Sequence, residues 1–451
     1  MSLLGPGRRV HVVGVGGAGM GALAQLLIER GCIVSGSDAQ DSIALSELAQ
    51  AGVRVSVGHR AQHVEDVEVL TWSPAVGEDN VELVAGRAHG VMLVPRAQAL
   101  ASLVQDQATI GLAGTHGKTT ATSMMALVLA AAGRDDSRLI GAPVRGLGPG
   151  GHWGPDGLVL EVDESYGTFE PLALSALGLL NVEADHLDHY GTEAALEAAF
   201  GRLIERVSGP VVAWDEPGAR RAAAHATREV TWVSRGPNTP WRVGDVRLER
   251  RGSHFVLDGA ARVAIRLAVT GAHNVANAAI CATLALSLGL EEMAVVAGLA
   301  RFQGAPRRFD FRGRWRGADV YEDYAHLPGE VAAALAGARA AGYQDVTAVF
   351  QPHRYSRTRR LAEDFADSFV DAARVVVMDV YSAGEVDPGD VSGRLVMDAL
   401  RRAHPELECT YVAQRDDVIA FLEASRVVGD ALVLLGAGDV GELAGELVER
   451  S

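Results

Sequence analysis

The sequence predicts an α/β fold of three domains. Short apolar runs alternate with helical stretches along all 451 residues, the pattern of mostly parallel sheets covered by helices. Two glycine-rich loops each follow a short apolar strand and open a helix, as ligand-binding turns of such sheets do. The length accommodates about three domains at roughly 150 residues each.

Taken in order, residues 8–14 (RRVHVVG) predict a buried strand, 20–30 a helix, and Cys32–Gly36 a second strand ending at Ser37 and Asp38. VRVSV, EVLTWSP and VMLVP continue the alternation. A new unit begins with the strand Thr109–Ala113, a glycine-rich loop and a helix from Thr119 to Ala132. Residues 141–157, rich in Gly and Pro, predict a loop; GLVLEVD and ALGLLNVE predict strands. The Arg-rich stretch 208–270 predicts a small antiparallel patch inside this unit, before a long helix from His273 to Leu288. A third unit starts near Arg301–Gly304, with VTAVF, ARVVVMDVY and ALVLLGAG as strands. The expected borders are 1–104, 105–303 and 304–451.

Composition narrows the function. The chain is 48% hydrophobic and 22% charged, with a net charge of −16, which is globular and ill-suited to sequence-independent DNA binding. Lys118 is the single lysine, and the other 40 of the 41 basic residues are arginines. Lysine-rich patches for nucleic acid or membrane are thereby excluded. Cys32, Cys281 and Cys409 form neither a disulfide framework nor a zinc pattern. The N-terminus lacks a signal-peptide core, and no apolar run reaches the ~18 residues of a membrane span. A cytoplasmic monomer or homodimer, with no nucleic-acid or membrane partner, is the expectation.

Gly14, Gly16 and Gly19, with Gly17 between them, fit G-x-G-x-x-G between a strand and a helix, and Asp38 ends the next strand. Such glycines let backbone approach a pyrophosphate, and the acid accepts from a ribose hydroxyl. NAD, FAD and a UDP-sugar all satisfy that chemistry. The second loop, Gly114-Thr115-His116-Gly117-Lys118-Thr119-Thr120, keeps the Gly-Lys-Thr core of a P-loop but has Leu112 where that motif's first glycine would stand. Backbone amides would cradle ATP phosphates, Lys118 would reach their oxygens and Thr119 would ligate Mg²⁺. Carboxylates follow two apolar strands, in Glu161-Val162-Asp163-Glu164-Ser165 and in Asn181-Val182-Glu183-Ala184-Asp185-His186. Glu164 is the natural metal ligand, with His186 as ligand or orienting group. His273, Asn274 and Asn277 open the long helix, with His273 and Asn277 on one face. In the third unit Arg307-Arg308-Phe309, Asp323-Tyr324-Ala325-His326 and Gln351-Pro352-His353-Arg354-Tyr355-Ser356-Arg357 group histidines with arginines suited to carboxylate or phosphate. Gly436 to Gly441 repeats the first glycine pattern and reads as a structural turn.

In this order, GVGGAGM, AGTHGKTT, EVDES, NVEADHLD, TGAHNVANA, RRFDFRG, DYAH and FQPHRYSRT resemble the Mur ligases over essentially the whole chain, most closely the alanine-adding branch. The resemblance implies an N-terminal Rossmann-like domain for the UDP substrate, a central P-loop ATPase domain and a C-terminal Rossmann-like domain bringing in the amino acid. It implies ATP and Mg²⁺, with UDP-N-acetylmuramate and L-alanine as substrates, joined through an acyl phosphate. Gly14, Gly16, Gly17, Gly19, Asp38 and Ser73 would bind the UDP substrate. Gly114 to Thr120, His273, Asn274, Asn277 and Arg308 would bind ATP, with Thr119, Glu164 and His186 on metal. His353, Arg354 and Arg357 would hold the alanine carboxylate and muramoyl group, and His326 or His353 would take the amine proton. A carbamoylated lysine, used elsewhere in the family, has no candidate here, since Lys118 is committed. The chain departs from the branch at Tyr166, where aspartate is usual, at Leu327, where a second histidine is usual, and at Gly329. The competing expectations are a ligase reattaching recycled wall peptide, an NAD-dependent oxidoreductase built on the first glycine motif, and a non-catalytic nucleotide-binding partner.

Overall fold

The computed structural model describes residues 3–425 and 429–450. Three sheets organise the chain, one for each predicted α/β domain. The chain also divides into two compact units. The first comprises 1–247, 253–268 and 272–303, and the second 304–451 with 248–252 and 269–271.

The first sheet has the strand order Arg54–Val57, Ile33–Asp38, Arg9–Val13, Val69–Trp72, Met92–Leu93, all parallel. The order reverses beside Arg9–Val13, and the carboxyl ends there form the crevice in which such sheets bind ligands. Val10 and Val12 face the helix Ala18–Glu29 side, while His11 and Val13 face the other side of the sheet, where Val13 packs with Leu70 and Leu83.

The second sheet has ten strands, with Thr109–Ala113 between Ala176–Leu179 and Leu158–Val162. All five residues of Thr109–Ala113 are buried, the signature of a parallel strand covered on both faces. Helix Lys118–Ala131 follows, burying Met124, Met125, Leu127, Val128 and Leu129. The expected antiparallel patch at 208–270 is corrected. Thr231–Ser234 pairs parallel with Val211–Trp214, and Trp241–Glu249 pairs parallel with Thr231–Ser234. Helix Pro217–Ala223 is the crossover that makes the first of these pairings parallel. The antiparallel pairing of Gly252–Asp258 with Arg262–Leu267 then finishes the edge of the same sheet.

The third sheet runs Asp310–Trp315, Ala318–Asp323, Ala431–Leu435, Val346–Phe350, Arg374–Val377, Glu408–Tyr411. Only the first pairing is antiparallel; the others are parallel. Three adjacent strands therefore end together at Asp323, Leu435 and Phe350. Among the described residues no helix is long and apolar enough to cross a membrane.

Candidate active site

The first glycine turn is built as the sequence predicts. Gly14 has φ +77°, and a Cβ there would lie 3.0 Å from Cβ of Ser73. Ser73 is held beside it by donating its amide to Val13 O at 3.0 Å. The Gly16 amide donates to Asp38 Oδ2 at 3.0 Å, so Asp38 fastens the turn as well as facing the crevice. Gly17 caps helix Ala18–Glu29 with no side-chain cap and no acid in the first turn. This leaves the positive end of the helix dipole for an external anion. A Cβ on Gly19 would lie 2.7 Å from Nη2 of Arg96. Arg96 in turn donates to Asp163 Oδ2 at 3.1 Å, linking the turn to the carboxylate strand of the second sheet. Sequence reasoning missed Arg96.

The second loop wraps around Lys118. Its ammonium donates to Gly114 O at 2.8 Å, Thr115 O at 3.1 Å, and Glu164 Oε1 and Oε2 at 2.9 and 2.8 Å. Gly117 has φ +82°, and a Cβ there would meet Nδ2 of Asn277 at 2.9 Å; left-handed backbone and close approach together require glycine. Buried Asn277 thus packs on the loop from helix Ala272–Ser287, while His273 at that helix's first turn is exposed and Asn274 lies between in exposure. Asn181, also missed from sequence, braces the loop by accepting from the His116 amide at 2.8 Å and donating to His116 O at 3.0 Å. Thr120 lies in the helix's first turn.

The carboxylates take distinct places. Glu164 is 1% exposed; burial raises its pKa, outweighing the opposing pull of Lys118. Asp163 is half-buried; desolvation works to raise its pKa, but Arg96 and the Ser165 hydrogen bonds outweigh it and lower the value. Glu164, Asp185 and His186 bring one ligand atom each within 4.8 Å of one another. His186 has φ 50° and its Nε2 is 3.9 Å from Glu164 Oε1. Two carboxylates and an imidazole beside a phosphate loop suit a divalent cation, oxygen-rich as Mg²⁺ prefers. The predicted trio of Thr119, Glu164 and His186 differs from this grouping by one member. Thr119 Oγ1 donates instead to Glu161 Oε1 at 2.7 Å, and Glu161 Oε2 accepts the Gly141 amide at 2.7 Å. Tyr166 is exposed at φ 53° in the turn after Glu164.

In the second unit the three strand ends gather the other candidates. The rings of His326 and His353 are 5.6 Å apart, and His353 stacks on Tyr381 at 5.7 Å. Arg357 Nη1 lies 3.3 Å from His353 Nδ1. Burial, then His326, Arg357 and Arg354, push the His353 pKa down to about 4. Arg354 starts helix Tyr355–Leu361 with φ 71°, and its amide donates to Tyr381 O at 2.8 Å. Arg308 is exposed, and its charge acts on Asp323. Burial raises Asp323 to about 6, against its hydrogen bonds from the Ala325 and Phe309 amides. Leu327 precedes helix Pro328–Ala340, whose Glu330 accepts the His326 and Leu327 amides at 3.0 and 3.1 Å. The turn at Gly436–Gly441 is structural as read: Arg307 Nη2 donates to Gly436 O and Gly438 O at 3.0 and 3.1 Å.

The chain combines a parallel-sheet crevice, a lysine-bearing glycine loop and a third sheet presenting histidine and arginine, and comparison identifies its class. Residues 9–108 match the model described as Mur ligase family, catalytic domain; 154–285 match the Mur ligase middle domain; 307–438 match the Mur ligase, glutamate ligase domain. The chain belongs to the Mur ligase family. It is 42% identical to the UDP-N-acetylmuramate–L-alanine ligase of Kineococcus radiotolerans, over 98% of this chain and 95% of that one. It is 40% identical to the ligase of the same name from Thermobifida fusca, over 98% and 96%. Its structure is similar to that of the UDP-N-acetylmuramate-alanine ligase MurC of Thermotoga maritima, with TM-score 0.83, 25% identity and 98% of each chain covered. The fold also matches a murein peptide ligase from Psychrobacter arcticus at TM-score 0.69.

Proposed function

We propose that this chain joins L-alanine to UDP-N-acetylmuramate with hydrolysis of ATP to ADP and phosphate, in peptidoglycan precursor synthesis in the cytoplasm. The observation that carries the reading is Lys118, at the start of helix Lys118–Ala131, paired with Glu164, just past strand Leu158–Val162, in a chain whose relatives over nearly its full length are alanine ligases. The domain borders are placed at 104/105 and 303/304.

The substrate carboxylate attacks the γ-phosphorus of ATP, forming an acyl phosphate and releasing ADP. The alanine amine, having lost a proton, attacks the acyl carbon and expels phosphate, leaving an amide. No protein nucleophile is needed; positioning and charge neutralisation suffice. Lys118, the Gly114–Thr120 amides and Asn277 hold ATP. Phosphate oxygens replace Glu164 on the ammonium, and this frees the carboxylate. Glu164, Asp185 and His186 would hold Mg²⁺, with Thr119 as a further ligand, and the ion would supply further neutralisation of phosphate charge. The glycine turn, Asp38, Ser73 and Arg96 bind the UDP pyrophosphate and ribose. Arg354 and Arg357 suit the alanine carboxylate and muramoyl group, and Arg308, exposed, suits a phosphate. His326 and His353, with rings 5.6 Å apart, stand to accept the amine proton.

The test is ADP release from ATP and Mg²⁺ with UDP-N-acetylmuramate and each amine in turn. Release with L-alanine above glycine and L-serine supports the reading. Release only with the wall tripeptide assigns the peptide-reattaching reaction, and release with none refutes the ligase.

A further inference from the structure

A second cluster of ligand-type side chains lies in the N-terminal sheet, buried against the face that carries helix Val81–His89. His11 comes from the middle of strand Arg9–Val13, His59 and His63 from the turn after Arg54–Val57, and Glu82 from the first turn of Val81–His89. His11 is 1% exposed and Glu82 0%. The three imidazoles converge on one carboxylate. His63 Nδ1 is 2.5 Å from Glu82 Oε1, His59 Nδ1 is 3.1 Å from Oε2, and His11 Nε2 is 3.6 Å from Oε2. Ser37 Oγ donates to Oε2 at 2.6 Å and the Arg60 amide to Oε1 at 3.2 Å.

His11 is the informative member. Its Nδ1 lies 2.8 Å from Ser35 Oγ, whereas Nε2 is buried without a hydrogen-bond partner. If Nδ1 carries the proton to Ser35, Nε2 directs a lone pair at a carboxylate oxygen. Two electron-rich atoms 3.6 Å apart in a buried site favour a cation between them. Their separation suits two ligands of one ion with bonds of ~2.0–2.2 Å. Ser35 is then the outer partner that fixes tautomer and ring orientation, as metal-binding histidines need.

We propose that His11, His63 and Glu82 bind one zinc-type transition-metal ion, with His59 as the fourth ligand. His11, His63 and Glu82 already place one ligand atom each within 4.8 Å of one another. On binding, His63 exchanges its hydrogen bond to Glu82 for a metal bond, its proton moving to Nε2. The imidazole-rich set selects zinc over magnesium, separating this site from the carboxylates beside Lys118. The ion would stiffen the glycine turn, because Ser37, whose hydroxyl touches Glu82, accepts the Gly14 and Val15 amides at 2.8 and 3.1 Å.

The test uses the full untagged chain, stripped with chelator and titrated with Zn²⁺ by calorimetry and with Co²⁺ by visible absorption. An Asp185→Asn/His186→Gln variant removes the other cluster. Wild type and this control are expected to bind one equivalent with the intense visible band of four-coordinate Co²⁺, and to melt higher with Zn²⁺. His63→Gln loses that equivalent and the melting shift, and Ser35→Ala weakens binding by about 10- to 100-fold. Should His63→Gln fail to fold, the Ser35→Ala weakening decides. The proposal is overturned if the equivalent disappears with Asp185 and His186 instead. It is equally overturned if no variant binds metal and Zn²⁺ leaves melting unchanged.

Discussion

Replacing Lys118 by methionine isolates the ion pair at the centre of the phosphate loop. The ammonium makes four contacts of 2.8–3.1 Å, two of them to Glu164, which is 1% exposed. Without the lysine, the carboxylate is left buried and uncompensated, which costs about 3–5 kcal/mol. For a cooperative unit of about 200 residues this lowers the melting temperature by roughly 6–20 °C. The penalty depends on pH. Burial already raises the Glu164 pKa against the pull of Lys118, so removing the lysine raises it further. A carboxyl with a raised folded-state pKa contributes stability below its unfolded value, lost as pH rises through the folded value. Lys118→Met is therefore least destabilised in mild acid and most destabilised above neutrality. Adding Glu164→Gln removes the stranded charge, so the double variant melts higher than Lys118→Met alone. Calorimetry of the four proteins at pH 5 and pH 8 reads the cycle. A Lys118→Met protein as stable as wild type at pH 8, or strictly additive single losses, would refute the reasoning.

Lys118→Arg keeps the charge but replaces a compact ammonium by a planar fork, and ADP release is expected to fall by about 100-fold or more, as for loss of one preorganised donor; steady-state kinetics check it. His353 is held down to about 4, so it stays neutral through pH 6–8, and its contribution to stability, full above the ordinary histidine value, is lost as pH falls from there towards about 4; NMR titration of its ring, assigned with His353→Gln, should show a midpoint below 5. Arg96→Ala removes the cation beside Gly19 and the partner of Asp163. Losing one charge-assisted contact of about 1.5–3 kcal/mol should raise KM for the UDP substrate about tenfold or more with KM for L-alanine unchanged.

What sequence disclosed and what it concealed divide along physical lines. The loop from Gly114 to Thr120 was legible because Gly-Lys-Thr between a strand and a helix has a fixed geometric purpose, and the carboxylates were legible because strand ends in parallel sheets carry ligands. Arg96 was hidden among 40 arginines; only its packing beside Gly19 and its bond to Asp163 distinguish it. Asn181 braces the loop across 65 residues of sequence, a pairing that no local pattern encodes. Asp185 was passed over in favour of Thr119, since P-loop spacing predicts a hydroxyl ligand and cannot show that Glu161 already engages it. Trp241–Glu249 alternates buried and exposed residues, which imitates a hairpin strand although its partner at Thr231–Ser234 is parallel. His11, finally, reads as one polar residue in an apolar strand until the fold brings Glu82 to it.

The most direct test of ligation through an acyl phosphate follows the oxygen atoms. UDP-N-acetylmuramate labelled with ¹⁸O in its carboxylate is turned over with ATP, Mg²⁺ and L-alanine, and the phosphate is analysed by mass spectrometry. The account predicts one ¹⁸O transferred to each phosphate released, in step with amide formed. Amide formation with unlabelled phosphate, or phosphate release independent of the carboxylate substrate, would contradict it.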